Sequence, residues 1–88
     1  MYWEWRDWSL AGLKGVEPYE VVQALSTGRM IRRWVDDYVL AIISNTATGR
    51  VLVVALYEEN AVWVIIGARV ASPEETFAYR RAIDGRSS

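Results

Sequence analysis

The chain has 88 residues with ten basic and eleven acidic side chains, a net charge of −1, and neither histidine nor cysteine. One domain with one shared core is all that such a length supports. The absent residue types exclude disulfides, thiolate and imidazole metal sites, a cysteine nucleophile and imidazole base catalysis, so no metal or cofactor is expected. Apolar residues make up 52 % of the chain, which places it with ordered globular proteins. Met1–Asp7 has neither a basic start nor an apolar core and does not read as a signal peptide. No apolar run approaches the ~20 residues needed to cross a bilayer. A cytoplasmic protein is the expectation.

Tyr2-Trp3-Glu4-Trp5 alternates weakly and reads as a short edge strand. Ser9 caps an expected helical turn through Lys14, closed by Gly15. Pro18 suits the first position of the next helix, whose stripe is Val21, Val22 and Leu25 and whose end is Gly28. Strands are then expected over residues 30–35, 38–44, 50–57 and 61–67. Asp36-Asp37, the 45–49 segment and Glu58-Glu59-Asn60 join them. Links this short favour an antiparallel meander. The runs Val39–Ile43, Val51–Leu56 and Val62–Ile66 are nearly continuous in apolar residues, so they require cover on both faces. Either the helices divide between the faces, or a partner finishes one of them. Ser72-Pro73-Glu74-Glu75 is a capping box that starts a C-terminal helix with Tyr79, Ala82 and Ile83 on its apolar side. Residues 85–88 read as a disordered tail after a single domain over 1–84. The expected fold is therefore α+β: a curved antiparallel sheet of four or five strands, short N-terminal helices and one C-terminal helix.

Nine of the ten basic residues are arginine, the side chain best suited to bidentate phosphate contacts. Arg69 follows the most apolar strand and precedes the capped helix, where a fixed cation meets an anion. It can stabilise growing phosphoryl charge, or it can pair structurally with Glu74, Glu75 or Asp84. Arg50 opens the preceding strand, and antiparallel pairing places it at the same end of the sheet as Arg69. It is either a member of that anionic site or a solvated first strand residue. Lys14, the only lysine, is a candidate general acid or a solvated helix end. Arg32 and Arg33 point to opposite faces of a strand. Trp3, Trp5, Trp8, Trp34 and Trp63 are more tryptophans than so small a core needs, and one or two of them suit a partner surface.

Taken in order, these segments resemble the BrnT-type toxins, a branch of the RelE-like ribonuclease superfamily. The aromatic-acidic opening Tyr2–Trp5 with Trp8, then Gly15-Val16, Pro18 and Glu20-Val21, are similar to that family's first third. Arg50–Val54 resembles its Gly-Arg-Leu-Val strand, and Ile65–Arg69 its Ile-Ser-Ala-Arg strand end, with Ala71, Glu75 and Tyr79 following in place. The resemblance implies a RelE-like fold and a type II toxin-antitoxin pair. The implied chemistry is metal-independent RNA cleavage by 2′-hydroxyl attack, and the implied partner is a cognate antitoxin of ribbon-helix-helix type in a homo- or hetero-oligomer. Arg69 and Arg50 occupy matched positions, and Lys14 stands where the family has histidine. The family's second arginine is replaced by Val64 and its serine by Gly67. A second implication is a catalytically inactive member that keeps the partner surface. A plain structural or oligomerising domain is the third alternative.

Overall fold

Three long strands carry the sheet because β-branched and aliphatic residues recur on both of their sides. They are β4 (Val39–Asn45), β5 (Val51–Glu59) and β6 (Val62–Val70). The remaining strands are short: β1 (Trp3–Glu4), β2 (Leu13–Lys14) and β3 (Ile31–Trp34). The computed structural model describes residues 2–87 and orders the strands β1-β6-β5-β4-β3, with β2 also on β6. A 3-10 turn at Ser9–Gly12 separates β1 from β2. Helix α1 spans Pro18–Ser26 and α2 spans Pro73–Ser87.

The α+β class agrees with the sequence, but the sheet needs a correction. It has six strands and is mixed, because β1 and β2 both run parallel to β6 along the same edge. The segment from Ser9 to Lys14, expected as helix, makes one 3-10 turn and then a strand. The physical reason is the edge of β6, whose backbone groups need partners that a second helical turn would not supply. At the C-terminal end, α2 runs to Ser87, past the Asp84 at which the sequence reading ends the domain. Ser88 lies outside the described residues.

The two helices divide between the faces. Val21, Ala24 and Leu25 of α1 pack on Leu40, Ile42, Leu52, Val54, Leu56 and Ile65. Tyr79 and Ile83 of α2 pack with Ala71 on Ile43 and Val51. Antiparallel registers such as Ile42↔Val54 and Ile43↔Val53 keep each set on its own face. That pleat explains the continuous apolar runs: α1 covers one face of β4 and β5, and α2 covers the other face at Ile43 and Val51. No helix among the described residues is long and apolar enough to cross a membrane.

The short links are closed by specific turn chemistry. Asp36 Oδ1 accepts from the Tyr38 and Val39 N–H groups at 2.7 and 2.8 Å, an Asx-type turn. The β5–β6 hairpin turns at Asn60 and Ala61, with φ of 52° and 65°. Positive φ at both central residues matches the twist of the flanking strands.

Candidate functional site

The edge of β6 brings two of the expected site residues together. β2 pairs with it so that Leu13 faces Ala68 and Lys14 faces Arg69. Neighbours in a parallel ladder point to the same face, here that of Val53, which pairs with Arg69 from the other side. An open groove results, lined by Gly12, Lys14, Val53, Ala55, Gly67 and Arg69. α2 covers Ile43 and Val51 on this face and leaves the groove exposed.

Two glycines set the approach of β2. A Cβ on Gly67 would stand 2.5 Å from the Gly12 carbonyl oxygen, and one on Gly12 would stand 2.2 Å from the Ile66 oxygen. Neither position admits a side chain, because the clash is with backbone. Between β1 and β2, the register of β6 slips at Ile66, opposite the Ala55–Leu56 step. The buried Ser9 hydroxyl donates to the Ile65 carbonyl there at 2.6 Å and accepts the Arg6 N–H at 2.9 Å. This bridge satisfies a carbonyl that neither short strand reaches.

Arg69 does not stand alone in the groove. Its Nη1 and Nη2 donate to Glu75 Oε1 and Oε2 at 2.7 and 2.9 Å. Glu75 also closes the capping box of α2: its Oε1 accepts the Ser72 N–H at 2.8 Å, and Ser72 Oγ accepts the Glu75 N–H at 3.1 Å. The Arg69 fork, aided by the Ser72 N–H, holds the Glu75 carboxyl down at about 2. Sequence alone offers this pairing as one of three structural alternatives for Arg69, and it is the one adopted.

Arg50 sits at the same end of the sheet, but its side chain is on the other face. It precedes Val51, which faces α2, and so shares the α1 face with Leu52. There its Nη1 lies 2.9 and 2.8 Å from the two Glu20 oxygens, and its Nη2 donates to the Gly15 carbonyl at 2.9 Å. Glu20 is only 4 % exposed. It also accepts the Glu17 N–H at 3.0 Å, completing a capping box for α1. The shared arginine site is therefore corrected: strand ends meet at one end of the sheet, while the pleat sends the two guanidinium groups apart.

Glu20 is the charged residue that sequence reasoning missed. Its signal is the spacing Glu17-Pro18-x-Glu20, which repeats the geometry of Ser72-Pro73-x-Glu75. The tryptophans divide between core and surface. Trp3, Trp5 and Trp63 pack against the α1-side core, while Trp34 is 59 % and Trp8 46 % exposed. Trp34 leans on Trp63 with ring centroids 5.9 Å apart, and Trp8 stacks on Tyr57.

Comparison with known protein families, with curated proteins and with solved structures found no match for the chain.

Proposed function

We propose that the domain is an RNA-cleaving toxin of the BrnT branch of RelE-like ribonucleases, working through the groove beside β2. The observation that carries this reading is the Lys14↔Arg69 register, which joins two cations from distant parts of the chain beside an open surface. Arg69 would hold a non-bridging oxygen of the scissile phosphate and offset the charge that grows there. Lys14 would protonate the 5′-oxygen as it leaves. The ribose 2′-hydroxyl gives its proton to solvent water, and its oxygen bonds to phosphorus as the bond from phosphorus to the 5′-oxygen breaks, giving a 2′,3′-cyclic phosphate and a free 5′-hydroxyl. Small side chains at Gly67 and Ala55 leave the groove floor low enough for a strand to lie on. Arg50 enters this reading only as a support for the fold.

A second reading is an inactive relative that retains the fold and its antitoxin surface. It is favoured by the bidentate carboxylate already on Arg69 and by Glu75, whose carboxyl, held at about 2, makes a weak general base. The exposed Trp34 and Trp8 supply apolar area for a protein partner in either case.

Purified protein incubated with single-stranded RNA separates the two. The toxin reading expects 5′-hydroxyl products and a loss of about 100-fold in Arg69→Ala. Lys14→Ala should slow cleavage as well, with thermal stability unchanged. An absence of cleavage by the wild type, free and on ribosomes, would establish the inactive reading.

A further inference from the structure

We propose that Arg29 and Arg80 form a phosphate-binding cleft between α2 and the adjoining ends of β3 and β4, separate from the Lys14–Arg69 groove. The cleft is lined by Arg29, Asn45, Gly49, Tyr79, Arg80 and Asp84. Arg29 lies just before β3, Asn45 ends β4, and Gly49 belongs to the turn into β5. Three separate segments thus meet at α2.

Its floor is built rather than incidental. Tyr79 is 4 % exposed, and its hydroxyl donates to the Arg29 carbonyl at 2.6 Å and lies 2.9 Å from Asn45 Oδ1. That tie fixes the backbone beneath Arg29 and leaves its guanidinium free of it. Arg80 Nη2 reaches the Gly49 carbonyl at 3.3 Å, which draws its head over the cleft. Neither arginine forms an ion pair with a carboxylate among the described residues. The same two cations favour the ionised form of the Tyr79 hydroxyl, although burial pushes that group up on balance. Two like charges around one cleft repel each other, and an anion relieves that repulsion.

Charge and acceptor geometry favour a phosphate. Arg29 is carried by the segment before β3 and Arg80 by α2, so the two cations reach the cleft from separate elements. A phosphate spreads its acceptor oxygens tetrahedrally and carries up to two charges, enough to meet both cations, whereas a carboxylate brings two coplanar oxygens and a single charge. Gly49 has φ of +87° and open space where a side chain would stand, leaving one wall of the cleft low. Asp84 offsets part of the charge and sets the affinity below what two free arginines would reach.

The test is a titration of 15N-labelled protein at low ionic strength, following the Gly49 amide, the Asn45 side-chain amide and the arginine Nε–H signals. Inorganic phosphate is expected to give saturable shifts at these groups. Arg29→Ala and Arg80→Ala should each weaken the response roughly tenfold, and Asp84→Asn should strengthen it by up to about fivefold. Lys14→Ala should leave it unchanged, which makes the outcome independent of RNA cleavage. Adenosine 5′-monophosphate and a ten-nucleotide single-stranded RNA then separate the sources. Tighter binding of RNA through the same two arginines assigns the cleft to a nucleic-acid backbone, and tighter binding of the mononucleotide assigns it to a free phosphate ester. No saturable shift at tens of millimolar phosphate, equal curves in the arginine variants and wild type, or loss of the response in Lys14→Ala would overturn the proposal.

Discussion

Arg50 and Arg69 each bind both carboxylate oxygens of a capping-box glutamate, Arg50 through Nη1 alone and Arg69 through both Nη atoms, yet the two pairs occupy different environments. On the α1 face, Arg50 keeps 42 % of its side-chain surface but Glu20 only 6 %, so a half-exposed guanidinium neutralises a carboxylate that water hardly reaches. On the α2 face, Glu75 keeps 24 % and Arg69 49 %, so solvent shares the work. Removing a partner from a desolvated charge leaves a large penalty, while breaking a wet pair costs little. One pair therefore secures the fold, and the other leaves its arginine available to a ligand.

The largest effect should come from Arg50→Ala. Stranding the Glu20 carboxylate is expected to lower stability by about 3 kcal/mol, measured by urea unfolding. Adding Glu20→Gln should recover part of that loss, because a neutral side chain tolerates burial better. A loss below ~1 kcal/mol for the single variant would erase the contrast between the faces.

Gly67→Ala attacks the groove side of the comparison. The added methyl meets the Gly12 carbonyl and should push β2 away at a cost of about 2 kcal/mol. Amide exchange at Leu13 and Lys14 should quicken relative to the strands β4 and β5. Unchanged exchange would mean that the Lys14↔Arg69 register does not depend on the glycine contact.

Arg69→Ala should cost under ~1 kcal/mol in stability, because its pair is half in water. A loss as large as that of Arg50→Ala would return Arg69 to a purely structural role. The smallest effect is the pH response of the same pair. Glu75 is held at about 2 in the folded chain, below the ordinary 4.5 that applies when unfolded. Its contribution is therefore present in full above about pH 4.5 and fades as pH falls toward 2, amounting after screening to about 0.5 kcal/mol. Glu75→Gln should flatten that part of the stability curve. In Arg69→Ala the Glu75 carboxyl should titrate closer to its ordinary range, which carbon-detected NMR reads directly.

Much of the candidate site was legible where partners are close in the chain. Arg69 and Glu75 are six residues apart, and a capping box fixes the orientation of Glu75, so their pairing belongs among the alternatives that spacing alone suggests. Arg50 and Glu20 are thirty residues apart. Nothing local to Arg50 names its partner, and its place at the start of a strand reads as solvated. Strand ends can be matched across a hairpin from link lengths, but the face taken by each side chain depends on register, and a one-residue change reverses it. Lys14 shows the same limit. A two-residue strand has no period to read, so Leu13-Lys14 looks like the end of a helical turn until β6 offers its edge.

By itself the sequence determined what local chemistry encodes: the apolar strands, the proline-led capped starts of α1 and α2, and the need for cover on both faces of the sheet. Only the tertiary structure decided that β1 and β2 run parallel to β6, that α1 and α2 take opposite faces, and that Arg50 and Arg69 part company. The reason is physical. Caps and turns satisfy hydrogen bonds within a few residues and carry their own spacing signal. Edge pairing and face assignment are settled by which distant groups best fill unpaired backbone and buried charge once the whole chain is packed.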